Sequence, residues 1–310
     1  MSTLKRFTLV CLVPIGLLIA GTAATAQQLV WSDEFSGTNL GAAWEPMIGD
    51  GTNYGLPAGW GNDELQYYTD RPENLYVADG VLHIRANAES YQGYSYTSAR
   101  IRTKNKADFT YGRIEASIKM PTSKGMWPAF WLLPSDDTYG TWAASGEIDV
   151  VEFMVRAIPD QSIHSIHYGD VWPGNTFKSF YYSEGKGPSK KDFSSSFNVF
   201  ALEWDDTVPE MRWYVNGVLA GQTSDWWSSG GAYPAPFDQR FHLLLNLAVG
   251  GAAPDPDGST VWPQEMQVDW VRVYELEPSG ACEPAGTPCD GGTNCCNGCS
   301  GGKPSSRVCQ

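Results

Sequence analysis

Gly112–Met120 reads GRIEASIKM. Ile114, Ala116, Ile118 and Met120 fall on one side of an extended chain, and Arg113, Glu115, Ser117 and Lys119 on the other. That period of two marks a half-buried β-strand. Further along, Met211–Leu219 (MRWYVNGVL) holds Asn216-Gly217 between apolar runs, a pair suited to the positive φ angles of a two-residue hairpin turn. Leu243–Val249 is a continuous apolar run that stops at Gly250-Gly251, and Val268–Tyr274 (VDWVRVY) is another short strand. Between residues 27 and 277 neither a convincing amphipathic helix nor an internal repeat is found. Gly and Pro number 33 and 20, about one residue in six, which favours turns over a helical bundle. The expected body is an all-β sandwich of two antiparallel sheets.

The ends of the chain differ from this body. Lys5 and Arg6 precede an apolar run from Phe7 to Ala20, followed by small residues ending Ala24-Thr25-Ala26. This is the layout of a secretory signal over residues 1–26, with an uncleaved membrane anchor as the rival reading, although the run is short for a span and Pro14 interrupts it. Cleavage would take the formal charge from −14 to −16. An acidic surface of that size repels phosphate backbones, so nucleic acid is not an expected partner. The protein is expected to be extracellular, free of the membrane after cleavage, and monomeric. Of seven cysteines, Cys11 lies in the leader and six crowd the tail: Cys282, Cys289, Cys295, Cys296, Cys299 and Cys309. In an exported chain this reads as a small disulfide-stapled module over residues 278–310, with the connectivity open and zinc as the alternative. The body is then residues 27–277.

Ser145–Phe153 reads SGEIDVVEF and places Glu147, Asp149 and Glu152 within six residues. In a regular strand Glu147 and Asp149 share a face, while Glu152 would point with Ile148 and Val150 into the core. An isolated buried charge is costly. One extra residue, a β-bulge at Val150-Val151, restores the phase and gathers the three acids on one face. Two carboxylates flanking a glycosidic bond are the usual means of breaking it. A third acid between them raises a neighbour's proton affinity and hydrogen-bonds to the nucleophile, keeping the pair in opposite protonation states. A calcium site and a solvated edge strand remain as alternatives, although calcium usually draws loop ligands at closer intervals.

These stretches, taken in order, resemble the laminarinase branch of glycoside hydrolase family sixteen. The likeness runs through WSDEF at Trp31, WGNDELQYYT at Trp60, YTSARI at Tyr96, YGRIEASIKMP at Tyr111 and GMWPAFWLLP at Gly125. After SGEIDVVEF it continues with IHYG at Ile166, FALEW at Phe200, LLLNLAVGG at Leu243 and VDWVRVY at Val268. The resemblance implies a β-jelly roll with an open cleft on its concave sheet. It also implies a retaining endo-acting β-1,3-glucanase without a catalytic cofactor, with Glu147 as nucleophile, Glu152 as general acid/base and Asp149 assisting. The two residues between Asp149 and Glu152 match the bulged form of β-1,3-glucanases, whereas lichenases usually have one fewer.

Sugar recognition needs flat apolar faces together with hydrogen-bonding groups. Trp127 and Trp131 share one side of their strand, as a sugar platform or as a core pair; the resemblance places both in the cleft, with Asn62, Arg100 and His167. Trp142, just before the acids, is a further candidate at the site's border, and His164 reads as a background histidine. Trp60, Trp172, Trp226 and Trp227 lie in turn-rich stretches where an exposed aromatic would serve carbohydrate contact. The family also implies one structural calcium away from catalysis, with Glu34, the Gly80 carbonyl and Asp269 as ligands, though the acids also read as plain surface residues. Two stretches depart from the family pattern. GTWAASGE lacks a Pro after its Trp, and AAPDPDGSTVWP lacks Asn-Trp-Pro-Gly. Both bear on substrate preference. The expected substrate is β-1,3-glucan or mixed β-1,3/1,4-glucan; the alternatives are a glucan-recognition protein and a transglycosylase, and the first is disfavoured because both Glu are kept.

Overall fold

A computed structural model describes residues 27–276, 299–300 and 308–309. The leader at 1–26 lies outside the described residues, as do Cys282, Cys289, Cys295 and Cys296. From the tail, Cys299–Ser300 and Val308–Cys309 pair as two short antiparallel strands.

The body is two stacked sheets. In the ten-stranded sheet the order is Val218–Thr223, Glu210–Val215, Asn198–Asp205, Gly112–Lys119, Gln264–Tyr274, Val81–Tyr91, Tyr94–Ser98 and Gln66–Tyr68. Leu29–Asp33 and Leu75–Ala78 pair off this path. The eight-stranded sheet runs Thr176–Tyr182, Ser162–Tyr168, Glu147–Glu152, Met126–Pro134, Phe241–Val249, Arg100–Arg102 and Glu45–Pro46, with Asp108–Phe109 beside Phe241–Val249. Helical structure among the described residues is confined to three-residue 3-10 turns, and no helix there is long and apolar enough to cross a membrane.

The strand patterns explain the stacking. Ile114, Ala116 and Ile118 point inward and are fully buried with Phe130, Leu132, Ile148 and Leu245 of the facing sheet. The Asn216-Gly217 hairpin forms between Glu210–Val215 and Val218–Thr223, with φ of 50° and 78° at the two turn residues. GRIEASIKM departs from the half-buried expectation, because Glu115 and Ser117 on its outer side are also buried. The strand is central, and Arg113 bridges Glu115 and Glu203 across it. Charged partners, not solvent, therefore cover that face.

Candidate active site

The bulge required by the acids is present. Against Ser162–Tyr168, Asp149 pairs with Ser165 and Glu152 with Ile163, so Val150 and Val151 together oppose His164. Against Met126–Pro134, Trp131 pairs with Asp149 and Phe130 with Val151, leaving Val150 as the added residue. Both valines are fully buried in the core, and Glu147, Asp149 and Glu152 turn to the outer face of the eight-stranded sheet. The irregularity thus removes the cost of burying an unpaired carboxylate between the sheets.

Each glutamate is held by an indole. Trp142 donates its Nε1–H to Glu147 Oε2 at 2.8 Å, and Trp127 donates to Glu152 Oε1 at 2.8 Å. His167 pairs across the strands with Glu147, and its Nε2 lies 3.7 Å from Glu147 Oε1 and 3.4 Å from Asp149 Oδ2. Asp149 is buried beside Glu147, and the His167 Nε2 lies against both acids. Burial, followed by the Asp149 charge, pushes Glu147 up to about 7 and Glu152 up to about 8. Burial alone would lower His167, but Glu147, Asp149 and Glu152 raise it to about 9. The imidazolium sits against Glu147 and Asp149, so a proton shared among the acids favours Glu152.

Beside the acids, Trp127 and Trp131 occupy the same outer face of Met126–Pro134. Trp131 Nε1 donates to Asn246 Oδ1 at 2.7 Å, Asn246 Nδ2 to the Tyr68 hydroxyl at 3.2 Å, and Tyr68 to Glu64 Oε2 at 3.1 Å. Gln66 also bonds Glu64, at 2.6 Å, and takes the Val249 amide at 2.7 Å. The Arg100 guanidinium lies between the rings of Trp60, at 4.4 Å, and Trp131, at 4.8 Å. Asn62 is at the exposed rim and reaches Glu64 at 3.4 Å. Gly251, with φ of 67°, lets the chain turn against Trp127, where a Cβ would come within 3.0 Å of the ring.

The structure therefore gathers Glu147, Asp149, Glu152, Trp127, Trp142 and His167 into one cluster, with Arg100, Trp131 and Asn62 beside it. Glu64, Gln66, Tyr68 and Asn246 were missed. A lone amide inside LLLNLAV and the period-two set in ELQYY signal buried polar groups that need partners. Trp60 and Trp226 are buried, with their indole N–H groups on the carbonyls of Gly49 and Pro234. They present no surface ring, whereas Trp172 and Trp227 are exposed.

Two places offer cation ligands. Glu147, Asp149 and His167 bring ligating atoms within 4.8 Å of one another. On the other sheet, Glu34 follows Asp33, which pairs with Val271, and Gly80 closes the turn before Val81, near the irregularity at Asp269. Carboxylate and carbonyl oxygens suit calcium in kind. However, Arg272 already takes both Glu34 oxygens, at 2.9 and 2.8 Å, so this set does not fit the ion as it stands.

The model of Glycosyl hydrolases family 16 matches residues 60–272. A glucan endo-1,3-beta-glucosidase A1 from Niallia circulans is 39% identical over an alignment of 272 residues that covers 82% of this chain and 38% of that protein. A beta-glucanase from Rhodothermus marinus is 40% identical over 268 residues, covering 80% of this chain and 85% of the relative. Among solved structures, the catalytic domain of an endo-1,3-beta-glucanase (laminarinase) from Thermotoga petrophila RKU-1 superposes with a TM-score of 0.69 at 37% identity. It covers 81% of this chain and 98% of that one. With this match over the bulged acid strand and both sheets, the chain belongs to glycosyl hydrolases family 16.

Proposed function

We propose that the protein is a secreted, retaining endo-β-1,3-glucanase that also accepts mixed β-1,3/1,4-glucans. The observation that carries this reading is the bulged strand, which sets Glu147 and Glu152 on one open face with a buried Asp149 and His167 beside them. Glu147 is proposed as the nucleophile, a reading supported by the His167 cation and the Trp142 N–H, which favour its ionised form. Glu152 keeps the proton and delivers it to the leaving oxygen as Glu147 bonds to the anomeric carbon. Water then attacks the glycosyl-enzyme while Glu152, now a carboxylate, takes its proton. The substrate names carried by the relatives and the indole-lined face support a glucan.

The test is incubation of the mature chain with laminarin, lichenan, agarose and xyloglucan, followed by product size and linkage. Short β-1,3 oligosaccharides from laminarin are expected, and essentially none from Glu147→Ser. No product from laminarin with the wild-type chain sinks the reading. Phe177 and Tyr181, 60% and 61% exposed, are held on the same face by pairing to His167 and Ile163. They could seat a sugar acceptor and so favour transglycosylation as the second reading. Longer products on adding laminari-oligosaccharides would support it.

Export rests on the basic, apolar and small-residue order of positions 1–26. Sequencing the N-terminus of protein recovered from culture medium tests it, and an intact Met1 there refutes it. Calcium at Glu34, Gly80 and Asp269 is proposed only with Arg272 displaced. A Tm unchanged between calcium and chelator would remove it.

A further inference from the structure

A bulge leaves backbone groups without ladder partners, and buried ones need others. Two core side chains meet this bulge. His164, the residue opposite Val150 and Val151, places its Nδ1 at 2.6 Å from the Val150 carbonyl. Trp213 reaches across from the ten-stranded sheet and donates its Nε1–H to the Asp149 carbonyl at 2.9 Å. Both side chains are fully buried. A carbonyl only accepts, which assigns the His164 proton to Nδ1 and leaves Nε2 to accept from Ser162 Oγ at 2.9 Å. Burial holds this imidazole down to about 4, so it stays neutral and keeps that tautomer at ordinary pH.

We infer that His164 and Trp213 are positioning residues for the hydrolysis, fixing the two carbonyls of the bulge and through them the separation and aim of Glu147 and Glu152. Neither touches the outer face, so neither is a catalytic residue. The inference rests on the glucanase reading above and deepens it. Between the two bonded carbonyls the chain changes phase, so a bulge that slid by one residue would turn a core valine onto the acid face, and one that was lost would swing Glu152 into the core. Trp213 ties that point to the opposite sheet, and His164 ties it to the neighbouring strand. Ser162 and His164 both belong to SIHSIHY, the strand that also supplies His167 to the acids. One strand thus sets the bulge from its inner face and the charge from its outer face.

The test compares His164→Asn with His164→Leu. Asn and Leu have nearly the same shape, and both give up the contact with Ser162. Only Asn carries an N–H where Nδ1 stood. On laminarin, His164→Leu is expected to lose about 10- to 100-fold in kcat with KM within about threefold, the pattern of misplaced groups rather than lost binding. His164→Asn is expected to stay within about threefold of wild type, and His164→Leu, which strands the Val150 carbonyl, to lower Tm more than His164→Asn does. Trp213→Phe, which keeps most of the ring volume, is expected to lose about tenfold in kcat. Equal kcat for folded Asn and Leu variants overturns the role of His164. If the Leu variant does not fold, Trp213→Phe decides alone, and wild-type kcat there overturns the inference. An inactive wild-type chain would instead fault the glucanase reading.

Discussion

Trp127 holds Glu152 through an indole N–H donated to Oε1 at 2.8 Å. The bond favours the charged form of a carboxyl that burial and the Asp149 charge otherwise push up to about 8. Trp142 does the same for Glu147. The two glutamates therefore have matching donors, while the proposed mechanism gives them opposite duties, one ionised and one protonated at the start of the reaction.

Removing the donors separates those duties. In Trp127→Phe, Glu152 loses stabilisation of its anion and keeps its proton to higher pH. The alkaline limb of the kcat/KM profile should move up by about half a pH unit. In Trp142→Phe, Glu147 becomes harder to ionise, so the acid limb should move up by a similar amount. The first change widens the profile and the second narrows it. Profiles on laminarin that shift together, or not at all, would show that the indoles do not tune these acids.

The same carboxyls weaken the fold at alkaline pH. Glu152 titrates near the ordinary glutamate value in the unfolded chain and at about 8 in the folded one. Between those values the unfolded chain releases its proton while the folded chain retains it, so stability falls as pH rises. Glu152→Gln should therefore raise stability at pH 8, read as a higher Tm than that of the wild type. At pH 4 both states are protonated and the gain should vanish. Thermal melts at the two pH values check this, and an equal gain at both would point to packing instead of charge.

Phe177 and Tyr181 sit on the edge strand Thr176–Tyr182, two strands beyond Glu147 and Glu152 along the same face. His167 stacks with Phe177 at 5.6 Å between ring centroids, so the surface continues from the acids to the sheet edge. Sugars on that side of the reacting bond would meet these rings. Replacing both by Ala should raise KM for long laminari-oligosaccharides, by about fivefold per ring if each contact is worth about 1 kcal/mol. Cleavage of the shortest substrates should change little. Equal effects at every chain length would mean that the rings act on the fold.

Local features were the ones readable from residue order. Asn216-Gly217 specifies its own turn, and the charge on Glu152 forces a bulge whatever the rest of the chain does. What could not be read depends on distant partners. The Asp149 carbonyl is bonded by Trp213, 64 residues away, and nothing in either segment encodes that meeting. Glu115 lies on the polar side of GRIEASIKM yet is buried, because Arg113 also reaches Glu203, 90 residues on. Trp60 sits in a Gly-rich turn that ordinarily signals exposure, but Arg100 and Tyr68 close over it. His164, three residues before His167 but on the opposite face of the same strand, reads as background because its partner is a backbone carbonyl, which carries no sequence signature.

Arg100 offers the sharpest test of the surface beside the acids. Its guanidinium is planar and lies between two indoles, with Nε buried and unpartnered. Burial lowers its pKa, while Tyr68, Glu64 and Glu147 oppose that shift. Lysine would keep the charge but lose the flat stack and the forked donors, so the exchange is not conservative here. Glu64, raised by burial and held down first by Arg100, would lose part of that counter-charge. Arg100→Lys should therefore lower stability by about 1–2 kcal/mol. On the proposed reading it should also raise KM for laminarin by about tenfold, with kcat changed less, if its donors serve sugar binding and not the reacting bond. Kinetics and a thermal melt on one preparation check both effects, and a kcat loss exceeding the KM change would put Arg100 at the chemistry instead.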